Sequence, residues 1–142
     1  MKQSKQYKIG FTASCFDLLH AGHIAMLQEA KSICDHLIVG LQTDPTIDRV
    51  EKSKPIQSIL ERQIQINAVK YVDQVIVYET EAQLVELLNS LAIDVRIIGE
   101  EYRGKAFTGL DIKNIDIYYN KRQHKWSSSG LRKLILEKSE NK

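Results

Sequence analysis

The feature that most constrains the fold of this chain is a regular alternation of two kinds of segment. Short apolar runs suit β-strands, and amphipathic segments with helical spacing separate most of them. The second run is apolar at nearly every position, as in a strand covered on both faces. The predicted strands are residues 8–13, 36–41, 75–78, 95–98 and 115–119, and the predicted helices are residues 24–33, 58–71, 81–91 and 127–136.

Strands that alternate with helices form a parallel sheet joined by right-handed crossovers. We therefore predict an α/β fold, a single Rossmann-like domain with a five-stranded parallel sheet and helices on both faces. The fifth strand alternates enough in polarity to be an edge strand. Ligands of such sheets bind beyond the carboxyl ends of the strands. The loops after strands one, two, four and five should therefore converge on one cleft.

Spacing also predicts which side chains the helices bury. Ser58 and Glu61 fit a capping box at the start of the second helix. Apolar residues spaced by a helical turn indicate the buried face of each helix. The side chains predicted to face inward are Leu60, Ile64 and Ala68 in the second helix and Leu131, Leu134 and Ile135 in the last one.

Length and composition fit one globular domain. The chain has 142 residues and a net charge of +2, too small to predict a nucleic acid or a membrane as partner. No apolar run suits a signal peptide or a membrane span, and Cys15 and Cys34 are expected to be reduced thiols, so we expect a cytoplasmic protein. We predict one domain over residues 1–136 and a charged, frayed tail over residues 137–142.

The strongest chemical signal is the motif H-x-G-H, which His20, Gly22 and His23 form between the first predicted strand and the first helix. A helix N-terminus binds phosphate because its backbone N–H groups are free and its dipole favours anions. Two imidazoles at that place add hydrogen-bond donors. We therefore interpret the motif as part of a phosphate site and not as a pair of structural histidines.

Basic side chains and hydroxyl groups follow the other predicted strands. Lys52 and Lys54 lie in a polar loop, with Arg62 further on, and lysines neutralise phosphate oxygens as mobile charges. Residues 99–105, Gly-Glu-Glu-Tyr-Arg-Gly-Lys, mix glycines with acids and bases in the loop after the fourth strand. Arg122 precedes three consecutive serines, residues 127–129, at the last helix start, which predicts a second phosphate-binding helix end.

Together these residues resemble the nucleotidyltransferase superfamily marked by H-x-G-H. The likeness is greatest to its cytidylyltransferase family, especially the bacterial glycerol-3-phosphate cytidylyltransferases, and covers residues 7–136. Residues 16–23 resemble the first signature of that family, residues 99–105 its glycine-acid-acid-aromatic stretch, and residues 122–129 its second signature.

The resemblance implies a set of site residues. The catalytic residues would be His20, His23, Lys52 and Arg122, and the acceptor-binding residues would be Arg62 and Lys54. The nucleotide-binding residues would be Ala13, Ser14, Cys15, Phe16, Gly22, Asp44, Lys54, Gly99, Glu101, Ser127, Ser128 and Ser129. No protein metal ligand is expected.

The reaction implied is transfer of CMP from CTP to a small phosphomonoester, with glycerol 3-phosphate as the preferred acceptor. The acceptor phosphate has a second pKa of ~6 and needs no strong base, so catalysis would consist of positioning and charge stabilisation. Mg²⁺ would accompany the nucleotide, held mainly by phosphate oxygens and water. The family also suggests a homodimer and a role in making cell-envelope precursors.

Two alternatives stay open. The first half also resembles heptose-phosphate adenylyltransferases, which can carry a cysteine before Phe-Asp, as Cys15 stands here before Phe16 and Asp17. The chain would then be an adenylyltransferase that uses a sugar phosphate or a cofactor precursor. The second alternative is a nucleotide-binding module without catalytic activity, because fold likeness by itself does not establish function.

Overall fold

The computed structural model describes residues 5–141; residues 1–4 of the predicted domain and residue 142 of the predicted tail lie outside this range. The elements follow the alternation of the sequence. The strands are β1 (Tyr7–Ser14), β2 (Cys34–Gln42), β3 (Gln74–Tyr78), β4 (Val95–Gly99) and β5 (Asp116–Asn120), and the helices are α1 (Ala21–Ser32), α2 (Ile59–Asn67), α3 (Glu81–Ser90) and α4 (Ser128–Glu140).

The strands form one sheet in the order β3-β2-β1-β4-β5, and every neighbouring pair is parallel. The predicted fold class is confirmed, and β5 lies at an edge as predicted. The chain order reverses beside β1, so the loops after β1 and β4 leave the sheet at a switch point where ligands of α/β sheets bind. None of the described helices is long and apolar enough to cross a membrane.

The pleat of the strands divides the core between the two faces of the sheet. One layer contains Leu37, Val39 and Leu41 of β2, which pack with Leu27 of α1 and Ile66 of α2. The other layer joins strand residues to α3; its members are Phe11, Ile38, Tyr78, Leu84, Leu88 and Ile93. The helices therefore cover both faces and leave the carboxyl ends of the strands open.

The buried face of α2 is not the predicted one. The capping box of Ser58 and Glu61 is present, but Leu60 and Ile64 are 64% and 63% exposed. Arg62 and Ile66 face inward instead. Hydrogen bonding decides which face of α2 is buried. An apolar side chain in place of Arg62 would leave backbone carbonyls at the ends of β1 and β2 without donors.

Arg62 is only 2% exposed, and its guanidinium donates to four backbone carbonyls. Nη1 donates to Cys15 at 3.1 Å and Gln42 at 2.6 Å, Nη2 to Thr43 at 2.6 Å, and Nε to Gln57 at 3.1 Å. The backbone thus takes four of the five N–H groups of Arg62, which gives this residue a structural role. Its predicted role in binding the acceptor stays a prediction; Arg62 lines the same shallow depression as Lys54.

The C-terminal helix also differs from expectation. α4 continues to Glu140, past the predicted end at residue 136, so most of the expected frayed tail is helical. Leu134 and Ile135 are about half exposed, 53% and 52%, and not buried as predicted. This helix is held instead by polar contacts of its first turns, described below.

We predict that Arg62→Met lowers the free energy of unfolding by about 2–4 kcal/mol, because it leaves several buried carbonyls without donors. Urea unfolding followed by circular dichroism measures this change. Lys70→Met, which removes an exposed cation just beyond the same helix, is the matched control and should change the free energy by less than about 0.5 kcal/mol. Equal effects of the two substitutions would contradict the assigned role of Arg62.

Candidate active site

The carboxyl ends of the strands open onto a cavity of about 430 Å³. Segments after β1, β2, β4 and β5 line it, as predicted, and the end of β3 and the start of α3 contribute as well. The structure brings twelve of the predicted site residues to its wall: Ala13, Ser14, Cys15, His20, Gly22, His23, Lys52, Gly99, Glu101, Arg122, Ser127 and Ser128.

The two histidines of the motif stand at the N-terminus of α1, with His20 as its N-cap. The Gly22 N–H donates to Nδ1 of His20 at 3.0 Å, and the His20 N–H donates to Nδ1 of His23 at 3.3 Å. Their rings are stacked, with centroids 3.9 Å apart. A Cβ atom on Gly22 would lie 2.8 Å from Cε1 of His20, so this position favours glycine.

This bonding fixes the protonation of the pair. An Nδ1 atom that accepts an N–H carries no proton, so each neutral ring carries its proton on Nε2. Burial, helped by the charge of His20, lowers the pKa of His23 to about 4, and burial also lowers the pKa of His20. At neutral pH the cavity therefore holds two uncharged imidazole N–H donors.

The serine-rich start of α4 closes the cavity beside this pair. Nε2 of His20 lies 3.2 Å from Oγ of Ser128, and Ser127 caps α4 by accepting the Gly130 N–H at 2.9 Å. Nη2 of Arg122 donates to the Trp126 carbonyl at 2.9 Å, which leaves its other donors at the cavity. A helix start with hydroxyl groups and a guanidinium beside it suits an anionic ligand.

A buried carboxylate ties the histidine loop to the rest of the site. Asp17 accepts the N–H groups of Ile56 at 2.8 Å and Gln57 at 2.9 Å, and Nη2 of Arg132 at 2.7 Å. Burial opposes its ionisation, but these donors hold the pKa of Asp17 below its usual value. The loop after β1, the segment before α2, and α4 are therefore connected through one charge.

Cys15 lies at the cavity wall directly after β1. Burial raises the pKa of its thiol to about 11, an effect that the nearby Arg62 only partly offsets. The thiol therefore stays protonated at neutral pH, and Cys15 serves as a small lining residue and not as a nucleophile.

Four further predicted nucleotide-binding residues do not line the cavity. Phe16 is 2% exposed and packs in the core beneath His23, and Ser129 is exposed on α4 outside the cavity. Asp44 and Lys54 line a separate shallow depression beside Ser58. Asp44 caps a short 3₁₀ turn (Pro45–Ile47) by accepting the Thr46 N–H at 2.9 Å, a local structural role.

Several cavity residues were missed from the sequence. They are polar or aromatic side chains on the side of the cavity near α3, and Arg49, Tyr78, Glu81, Arg96, Phe107 and Thr108 belong to this group. The sequence contains a feature that could have identified Arg96 as a site residue. A charged residue inside an apolar strand must have a partner or a ligand. Within residues 5–141, no group of three or more His, Cys, Asp or Glu side chains is placed to hold a metal ion.

The fold and this cavity define a class: an α/β protein whose sheet has, at its switch point, a helix N-terminus suited to an anionic ligand. The cytidylyltransferase-like family matches residues 11–134, and the chain belongs to this family of nucleotidyltransferases.

Individual relatives of the chain are also known. The chain is 37% identical to the bifunctional protein HldE of Campylobacter curvus over 113 residues, which are 79% of this chain and 24% of that protein. It is 40% identical to HldE of Wolinella succinogenes over 111 residues, 78% of this chain and 23% of that protein. The chain thus spans about a quarter of the length of these relatives. A solved lipopolysaccharide core biosynthesis protein from Thermoplasma volcanium shares the fold, with a TM-score of 0.58, 21% identity, and coverage of 93% of this chain and 88% of that one.

The depressed pKa of His23 predicts a loss of stability in mild acid. An unfolded histidine titrates near pH ~6.5, whereas folded His23 titrates at about 4. Between these values the unfolded chain binds the additional proton, so the free energy of unfolding falls as the pH is lowered through this window. His20, whose pKa is also lowered, acts in the same direction.

We test this with His23→Gln, since glutamine preserves the capping contact but does not titrate. Urea unfolding at about pH 7, 5.5 and 4.5 should show a smaller loss of stability in the variant than in the wild type. Identical losses in the two proteins would contradict the neutral, buried state of His23.

Proposed function

We propose that this chain is an adenylyltransferase that transfers AMP from ATP to a sugar phosphate of the heptose-phosphate type and releases pyrophosphate. The observation that carries nucleotidyl transfer is the stacked pair of neutral imidazoles at the N-terminus of α1, with Arg122 and Ser128 beside it. Cys15 before Phe16 and Asp17 supports the choice of acceptor class, since heptose-phosphate adenylyltransferases share this feature. The HldE relatives agree with that resemblance.

The proposed chemistry requires no strong base. An oxygen of the acceptor phosphate, already anionic near neutral pH, attacks the α-phosphorus in line, and the bond from this phosphorus to the bridging oxygen breaks as pyrophosphate leaves. The Nε2–H groups of His20 and His23 donate to the phosphate oxygens as charge develops there. Lys52 and Arg122 supply positive charge at the cavity wall.

A second candidate is the cytidylyltransferase reaction with CTP and glycerol 3-phosphate. The observation that favours it is residues 99–105, whose glycine-acid-acid-aromatic pattern resembles that family, and of which Gly99, Glu101 and Tyr102 line the cavity. The two candidates share the phosphate chemistry and differ in the nucleobase and the acceptor.

Both candidate reactions would use Mg²⁺ bound to the nucleotide. Carboxylate side chains at the cavity wall, Glu81 and Glu101, fit the water shell of an ion carried in by its ligand. When bound, the ion would neutralise charge on the triphosphate and take its ligands mainly from phosphate oxygens and water. The homodimer, the cytoplasmic location and the role in cell-envelope precursor synthesis remain predictions.

Pyrophosphate release separates the candidates. With Mg²⁺ and a panel of phosphomonoesters, we expect ATP with a heptose phosphate to react at least about tenfold faster than CTP with glycerol 3-phosphate, since a site built to bond one base rejects another. Faster reaction of the CTP pair would favour the second candidate. Binding of either nucleotide without pyrophosphate release from any pair would favour a non-catalytic module.

Substitutions of the histidines test the proposed mechanism. His20→Ala or His23→Ala should lower kcat by about 10²–10³, the cost of one preorganised donor in the transition state. His20→Asn should show a similar loss while its side chain still caps α1, because asparagine is a good N-cap. His36→Asn is the matched control, since His36 lies outside the cavity and bonds Gln74. Losses under about fivefold in both alanine variants, with intact folding, would refute the role.

A further inference from the structure

Arg96 is a buried cation on the side of the cavity opposite the histidines. It lies in β4 in register with Phe11 of β1, so its side chain shares the face of the sheet that packs on α3. It is 6% exposed, and it lines the cavity. Among the described residues, its one hydrogen bond runs from Nη1 to the Thr108 carbonyl, and Nε and Nη2 have no partner.

No described carboxylate forms an ion pair with this guanidinium. The acid on this side of the cavity, Glu81, pairs with Arg49 at 3.6 Å. Burial lowers the pKa of Arg96, although Tyr78 and Glu81 counteract this effect. A guanidinium in such a place is stabilised by an anion that meets its two unbonded nitrogens as a fork.

Buried and aromatic residues surround Arg96 at the cavity wall. Tyr78 is 5% exposed and lines the same cavity, and its hydroxyl has no hydrogen-bond partner among residues 5–141. The centre of the Phe107 ring lies 5.3 Å from Cζ of Arg96, which is a cation–π contact. Gly109, at φ +86°, lets the loop turn over the arginine, since a Cβ atom there would lie 2.9 Å from Nη1.

The identity of the anion follows from what the other components of the reaction require. Under the proposed function, the triphosphate binds at the N-termini of α1 and α4, where the imidazoles, Arg122 and Ser128 line the cavity. A nucleobase is neutral and does not balance a buried charge. The remaining anionic component is the acceptor substrate.

We propose that Arg96, with the Tyr78 hydroxyl on the wall of the same cavity, binds an anionic group of the acceptor and thereby selects the acceptor. This inference rests on the proposed nucleotidyl transfer. The group is either the phosphate that attacks or a second acidic group on the acceptor, and in both cases oxygen atoms accept from Nε and Nη2. Acceptors with one and with two acidic groups distinguish these two sources.

The test is steady-state kinetics of Arg96→Met and Arg96→Lys with the acceptor that the wild-type protein uses best. Arg96→Met should raise the KM for the acceptor about 10- to 100-fold, the cost of hydrogen bonds to a charged group, and leave the KM for the nucleotide within about threefold. Arg96→Lys should recover part of the loss because it keeps the charge. Tyr78→Phe should raise the acceptor KM by a smaller factor.

Arg103→Met is the matched control, because Arg103 follows the same strand but stacks on Tyr119 outside the cavity. It should leave both KM values unchanged. Equal increases in the two KM values of Arg96→Met would overturn the proposal and indicate that Arg96 only holds the loop that contains Thr108.

Failure of nucleotidyl transfer itself gives a different result. If the wild-type protein releases no pyrophosphate with any combination of nucleotide and acceptor, the proposed function fails. The Arg96 site is then tested by binding alone. Inorganic phosphate should then raise the melting temperature of the wild type and of Arg103→Met more than that of Arg96→Met. Equal increases in all three proteins would reject the anion site.

Discussion

The carboxylate of Asp17 is the contact on which the geometry of the cavity depends. It joins three segments far apart in sequence, since it accepts from the backbone of Ile56 and Gln57 and from Arg132 of α4. A charge that is 6% exposed is stable only with such partners. Its contacts place the loop after β1 and the start of α4 next to each other, which sets the distance between His20 and Ser128.

The same loop is held in a conformation that its sequence does not favour by itself. Phe16 and Leu18 have φ angles of 48° and 52°, in the left-handed region. The Leu18 N–H donates to Oε1 of Gln57 at 2.8 Å, and Arg62 binds the Cys15 carbonyl. The strain is therefore balanced by contacts from the segment before α2 and from α2 itself, and the result is a helix start whose two imidazoles face the cavity.

Sequence periodicity was sufficient to predict the sheet and the position of the cavity, because both depend on the order of apolar segments. It failed where a polar side chain is buried for its hydrogen bonds. Arg62 was assigned to the surface of the site for its charge, yet it satisfies carbonyls at strand ends that become neighbours only in the folded sheet. Tyr78 and Arg96 were missed for the same reason: they occur inside apolar runs, and only the pairing of strands brings them to one cavity.

Under the proposed function, the two sides of the cavity bind different charges by different means. His20 and His23 are neutral donors, so they attract the triphosphate of the substrate only as dipoles, and their hydrogen bonds strengthen as charge moves toward the leaving group. Arg96 carries a full charge that does not change during the reaction, which suits binding of an anion and not its conversion. The buried cation on the α3 side would then determine which acceptor enters, and the uncharged pair on the α1 side would accelerate its reaction.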